Sequence, residues 1–141
     1  MVEQVIAAGA PDDLLDPQNL CRAYHAGSSD RIEHQAAVVT LRFPDVDAVP
    51  QRLRLAEAYE LGRGFAREIS RLFDAAVVTC FHIPGRSWRP GFPHQHLCIP
   101  LRVIRPGSGF STVISDLKDP VKARPFIDES WTAWKAAEGY R

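Results

Sequence analysis

Three histidines, His82, His94 and His96, stand in a stretch of chain that holds no acid. Residues 75–115 carry Arg86, Arg89, Arg102 and Arg105 and neither Asp nor Glu. Neutral imidazole is a common ligand for divalent transition metals, and a three-histidine set leaves coordination positions open. An ion with open positions can polarise a phosphoryl oxygen and orient it for attack. Arginine suits the same substrate, because its planar fork donates two parallel hydrogen bonds to phosphate. The H-x-H spacing of His94 and His96 is a weak signal by itself, since such pairs on strands are more often structural. The third histidine, facing the same way, shifts the balance towards a metal. Cys80 and Cys98 fall on that face too, so a Cys/His zinc site is an alternative. Their place further from the loop end reads instead as packed thiols.

Which elements hold these residues follows from periodicity. Residues 76–83 (AVVTCFHI) and 95–104 (QHLCIPLRVI) read as strands, separated by a Pro/Gly/Arg-rich loop from Pro84 to Pro93. In the second of these, Leu97, Ile99, Leu101 and Val103 share the core face, so His94, His96 and Cys98 point away. In the first, Val77, Thr79, Phe81 and Ile83 face the core and Val78, Cys80 and His82 face away. An antiparallel pairing brings all three histidines to one end of the sheet, and His94 and His96 then lie roughly 6–7 Å apart at Cα. A further strand covers 36–43, with Val39, Leu41 and Phe43 inward and Val38, Thr40 and Arg42 outward. Residues 51–73 form the clearest helix, with Leu55, Tyr59, Gly62, Ala66, Ile69 and Phe73 recurring at steps of three and four. A shorter helix spans Asn19 to Ala26, closed by Gly27. Pro106-Gly107-Ser108-Gly109 is a turn that lets Phe110 to Ser115 pair back, and Pro125 opens a last helix with Ile127, Trp131 and Trp134 on one stripe. The fold class is α+β: an antiparallel sheet with helices on one face and the histidines on the other.

The whole chain has 141 residues, enough for one domain with its own core. Hydrophobic residues are 45% and charged residues 24%, which excludes a disordered chain or a disulfide miniprotein. The three cysteines, an odd and scattered count, fit reduced thiols in the cytoplasm. No apolar run approaches the roughly 20 residues of a membrane span, and the first ten residues do not resemble a secretion signal. Net charge is zero, with 17 basic and 17 acidic residues, so a general nucleic-acid coat is excluded. The charge is unevenly spread: Glu3, Asp12, Asp13 and Asp16 make residues 1–19 an acidic segment ahead of a single domain over 20–141. Central strands that merely lack acids would show the same pattern over 75–115. A DNA-binding reading places Arg42, Arg86, Arg89 and Arg102 around the histidines. Trp88 stacks on a base in that reading, or anchors the loop in the other.

The run Pro93-His94-Gln95-His96-Leu97 resembles the P-H-A-H-L motif of MobA/MobL plasmid-mobilisation relaxases, which belong to the HUH endonucleases. Cys80-Phe81-His82 is similar to the family strand that supplies a third histidine, and Phe65 to Ile69 (FAREI) to its F-A-x-x-L helix. Ala23 to Gly27 (AYHAG) resembles the family's A-Y-R-A-G. Arg31-Ile32-Glu33-His34, followed by a strand and Pro44, resembles its V-E-H pattern, and residues 101–120 its strand, turn and D-P ending. The likeness covers about residues 20–137. It implies a relaxase domain in which Tyr24 attacks a phosphodiester of single-stranded DNA at a transfer origin, leaving a 5′-phosphotyrosine and a free 3′-hydroxyl. It implies a divalent ion (Mn²⁺, Mg²⁺ or Zn²⁺) on His82, His94 and His96, and accessory mobilisation proteins as further partners. The family's first strand, ahead of the tyrosine, has no recognisable counterpart here, and where the family often has a glutamate on the site face this chain has Thr40.

Other readings stay open. Tyr24 packed at a helix end is the plain alternative to a nucleophile. His25 and His34 are possible bases and otherwise solvated surface residues. A single-tyrosine transposase-like HUH protein would use Tyr140. A degenerate HUH-fold module would bind nucleic acid or protein and cut nothing. A histidine-triad nucleotide hydrolase ranks last, because Cys98 stands where a further alternating histidine belongs.

Overall fold

The computed structural model describes residues 1–27, 35–44, 46, 53–84, 91–107 and 109–140. Among the described residues, six strands and four helices follow one another: β1 Val2–Val5, α1 Pro17–Gly27, β2 Ala36–Arg42, α2 Leu55–Phe73, β3 Val77–His82, β4 His94–Pro100, β5 Arg102–Arg105, β6 Gly109–Val113, α3 Ser115–Lys118 and α4 Pro120–Ala137. A single 3-10 turn, Asp12–Leu15, precedes α1. The main sheet is antiparallel in the order β1-β3-β4-β2, and β5 and β6 form a separate hairpin. The expected α+β fold is therefore the observed one.

Alternation dictates the sheet's two faces. Val77, Thr79, Phe81, Leu97, Ile99, Leu41 and Phe43 are buried. They meet Ala58, Leu61, Phe65, Ala66 and Ile69 from the apolar stripe of α2 in one core. α4 closes that core, with Trp131 stacking at a tilt on Phe65 at 5.1 Å and Trp134 Nε1 donating to the Leu61 carbonyl at 3.2 Å. Asp74, in the left-handed region at φ 47°, ends α2. A second cluster of Leu14, Leu20, Ala76 and Ile104, with Val78 and Phe110 beside it, covers part of the opposite face. It sits away from the histidine end, because Val78 is two residues from Cys80 and four from His82 in the same strand.

The structure departs from the sequence expectation in four places. A strand, β1, lies inside the acidic segment and pairs antiparallel with β3, Val2 opposite Cys80 and Val5 opposite Val77. Its short, mixed sequence VEQV shows no clear alternation. It is fixed from outside, by Glu3, whose carboxylate accepts from Arg63 Nε at 2.7 Å and from the Tyr59 hydroxyl at 3.1 Å on α2. The strand expected over 95–104 is two strands in different sheets, broken at Leu101, and Ile114 N–H donates to the Leu101 carbonyl at 3.0 Å. Ile83, expected in the core, is 61% exposed, because β3 ends at His82 before the core does. α4 starts at Pro120 rather than Pro125. Asp119 caps it by accepting from Val121 N–H at 3.0 Å, and Pro120 fits the first helical position. Pro125 costs the helix one backbone bond, and the tryptophan stripe packed beyond it holds the helix in place.

The Glu3 contacts are half-buried, so we expect Glu3→Gln to lower stability by about 1 kcal/mol in chemical denaturation. Among the described residues, no helix is long and apolar enough to cross a membrane.

Candidate metal centre

Two rungs of the β3–β4 ladder build the site. His82 lies directly opposite His94, and Cys80 directly opposite His96. On the other side of β4, Arg42 is opposite His94 and Thr40 opposite His96. All these side chains project from the face turned away from α2, because their neighbours Phe81, Gln95, Leu97 and Leu41 are buried on the other. The three imidazoles gather as their alternation predicts. Ring centroids are 5.2 Å apart for His82 and His94, 5.1 Å for His82 and His96, and 5.0 Å for His94 and His96.

These separations fit a common ion. A Zn–N bond of about 2.0–2.1 Å puts each ring centroid roughly 3.2 Å from the metal, so two ligand rings at 90–109° stand about 4.5–5.2 Å apart. The outer hydrogen bonds fit as well. His94 Nδ1 lies 3.0 Å from the Phe92 carbonyl, which can only accept, so Nδ1 carries the proton and Nε2 has the lone pair. His96 Nδ1 lies 3.0 Å from the Thr40 hydroxyl. Partners of this kind orient ligating histidines and set their tautomer. Burial holds the His96 pKa below the usual imidazole range, with His94, His82 and Arg42 acting in the same direction. The shift favours the neutral ring, the form in which an imidazole offers a lone pair. As the rings stand, no three His, Cys, Asp or Glu side chains among the described residues converge on one ion position. His82 stacks on His94 at 15° between planes, and its Nε2 lies 3.2 Å from Cys80 Sγ.

The tyrosines lie elsewhere. Tyr24, in the last turn of α1, donates its hydroxyl to the Gln35 carbonyl and packs edge-on against Phe110 at 4.9 Å. Gln35 is five residues before Thr40, so this hydroxyl is about 17 Å along β2 from the His96 rung. Burial raises the Tyr24 pKa, opposed by the Leu101 amide and Arg102. The structure does not bring Tyr24 and the histidines together. Tyr59 donates to Glu3, and Tyr140 packs beside the main core on the far side of the sheet.

The arginines divide likewise. Arg42 stands at the site, on the rung of His94. Arg102 does not: its Nη1 donates to the Ser111 carbonyl at 3.0 Å, within the β5–β6 hairpin. The break at Leu101 carries it out of the main sheet, which strand alternation alone could not foresee. Arg86, Trp88, Arg89 and His34 lie outside the described residues. Two further residues border the histidines: Thr40, which the sequence offers only as standing where the family often has a glutamate, and Cys80, which it offers as a packed thiol with a Cys/His zinc site as the alternative. The signal for both was strand register, which places them on the His96 rung.

No protein-family model matches the chain, and no curated protein sequence does. A solved structure described as the molecular basis of vancomycin resistance transfer in Staphylococcus aureus shares the fold. The two align with a TM-score of 0.67 at 18% identity, over 99% of this chain and 71% of that one. The fold of this chain is thus similar to that of a protein of resistance transfer.

Proposed function

We propose that this chain is a metal-dependent single-strand DNA endonuclease and strand transferase of the relaxase type. The observation that carries the reading is the group of three imidazoles on one open sheet face, with Nδ1 of His94 and His96 already engaged. The likeness to a fold of resistance transfer supports it. A bound divalent ion, Mn²⁺, Mg²⁺ or Zn²⁺, would offset the negative charge of a phosphodiester and polarise it for attack. His82, His94 and His96 would hold it as neutral donors and leave its charge uncancelled, where carboxylates would reduce it. Arg42 would supply the cation beside them for the DNA backbone, and Arg86, Arg89 and Trp88, which lie outside the described residues, would be further DNA contacts. Accessory mobilisation proteins would bring the origin to this face. In this reading Tyr24 is the nucleophile. Its oxygen bonds to phosphorus as the P–O3′ bond breaks, and the phenolic proton passes by way of solvent or a base to the leaving 3′-oxygen, which becomes the free hydroxyl. That requires the Tyr24 hydroxyl to leave the Gln35 carbonyl and α1 to be repositioned when DNA binds.

The distance from Tyr24 to the histidines favours a second reading, a nucleic-acid-binding module that keeps the fold and cuts nothing. One experiment separates the two. The chain is incubated with Mn²⁺ and a library of origin-like single-stranded oligonucleotides, then run on a denaturing gel. Relaxase chemistry gives a protein–DNA adduct that Tyr24→Phe abolishes while metal and DNA binding persist. Cleavage undiminished in Tyr24→Phe removes Tyr24 as the nucleophile and passes the test to Tyr140→Phe. Binding with no adduct from any oligonucleotide establishes the binding module. For either reading, affinity should fall steeply with salt, and Arg42→Ala should reduce the log–log salt slope by about 1.

A further inference from the structure

The β5–β6 hairpin carries two cations with no acid to balance them. Arg102 opens β5 and Arg105 closes it, and among the described residues neither is ion-paired. Strict alternation would turn side chains three positions apart to opposite faces. The ladder is irregular here. Arg102 pairs with Val113 but Ile104 with Phe110, so Ser111 and Thr112 of β6 stand against Val103 alone. Such a bulge re-aims the side chains around it. Both arginines reach the same bulged residue: Arg102 Nη1 donates to the Ser111 carbonyl at 3.0 Å, and Arg105 Nε to the Ser111 hydroxyl at 3.4 Å. Arg102 is half-buried, and its Nε is buried without a partner among the described residues. Two like charges drawn to one residue, one of them partly desolvated, are unfavourable until an anion joins them.

We propose that Arg102, Arg105 and Ser111 form an anion site that takes a phosphate group, separate from the histidine group. Guanidinium forks donate paired hydrogen bonds to phosphate oxygens, and the Ser111 hydroxyl adds a donor between them. The site stands at the Tyr24 end of the open face. Leu101 N–H donates at 3.1 Å to the Gln35 carbonyl that also takes the Tyr24 hydroxyl, and the Tyr24 ring packs on Phe110, next to Ser111. Burial raises the Tyr24 pKa, and the nearby Arg102 charge works against it. Gln35 lies about 17 Å along β2 from Thr40 and the histidines. A stacked strand advances about 3.4 Å per nucleotide, so about five nucleotides separate a phosphate here from one at the histidines. Along that path Ala36, Val38 and Thr40 of β2 are exposed. A nucleic-acid strand laid on β2 is then held at both ends. This last step rests on the reading that the histidine face receives a single strand; the anion site does not.

Two probes in metal-free buffer separate a strand phosphate from a free one: inorganic pyrophosphate, and an oligothymidylate of about 12 nucleotides, long enough to reach both ends. We expect the full chain to bind both. Arg102→Gln with Arg105→Gln should weaken each by about 10-fold or more and lower the oligonucleotide's log–log salt slope by about 2. Arg105→Gln alone, at an exposed position, should lower the slope by about 1, which keeps the test readable if the Arg102 change loses the fold. An effect on the oligonucleotide alone assigns the site to a strand. An effect on pyrophosphate alone assigns it to a free phosphate compound and overturns the strand held at both ends. Unchanged affinity for both probes in the double variant overturns the anion site and leaves the histidine reading standing. Arginine-dependent pyrophosphate binding by a chain that binds no oligonucleotide keeps the anion site and overturns the single-strand reading.

Discussion

Replacing His94 and His96 together by alanine should abolish the proposed divalent-metal binding, weakening it by ~1,000-fold or more in Kd. Two of three imidazoles go, and what remains is one histidine on an exposed strand end. The fold should tolerate the change, because both side chains lie on the open face and the inward neighbours Gln95 and Leu97 are untouched. Calorimetric titration with Zn²⁺ and Mn²⁺ measures the loss, and the thermal transition checks that the fold survives. Thr40→Val gives the graded control. It keeps the shape of the side chain but withdraws the hydroxyl 3.0 Å from His96 Nδ1, and changes of this kind typically cost 10–100-fold in metal affinity. Unchanged affinity in the double variant would rule the site out. Unchanged affinity in Thr40→Val alone would rule out only its positioning role.

The second large effect lies under the site. Gln95, between the two histidines of β4, is fully buried on the core face, and neither its Oε1 nor its Nε2 has a partner among the described residues. Gly62 on α2 makes room for it: a Cβ at Gly62 would stand 1.9 Å from Gln95 Oε1 and 3.3 Å from Phe43 Cζ. The amide is a flexible end, but it is enclosed, so its retreat displaces packed neighbours. We expect Gly62→Ala to destabilise by about 1–3 kcal/mol in urea unfolding, more than its gain in helix propensity of up to about 1 kcal/mol returns. The effect must be coupled to Gln95. In a Gln95→Ala background the new methyl enters vacated space, and the Gly62→Ala penalty should largely disappear. Equal penalties in both backgrounds would mean that the clash is not with Gln95. Gln95→Met, of similar length and without an unpaired amide, should stabilise by about 1–3 kcal/mol. Metal affinity should not change with it, since the side chain points away from the ion.

Much of this was legible in the chain. The alternation in 77–82 and 94–100 assigned each residue to a face, and the antiparallel pairing of β3 with β4 then followed from the intervening loop. The histidines therefore gather where the pattern said they would. The 3.6-residue stripe of α2 supplied the core that covers the other face. β1 was not legible, because an edge strand of four residues has too little pattern of its own and is held by Glu3 reaching to Tyr59 and Arg63, about 60 residues away. Nor was the break at Leu101, since LCIPLRVI carries apolar residues on both sides of the point where the chain leaves one sheet for another.

What this sequence determined by itself is local: which residues alternate, which share a helix stripe, and so which side chains share a face. Periodicity of 2 and 3.6 is a property of consecutive residues, and it needs no partner to be read. What only the tertiary structure decided is register and reach. That Cys80 and Thr40 flank His96, that Gln95 fills the space Gly62 leaves, and that Arg102 turns into the hairpin are relations between distant segments. So is the position of Tyr24, whose hydroxyl lies about 17 Å along β2 from the His96 rung because Leu20 and Phe110 seat α1 over the other end of the sheet. A motif names a tyrosine; only the packing of its helix decides what that tyrosine touches.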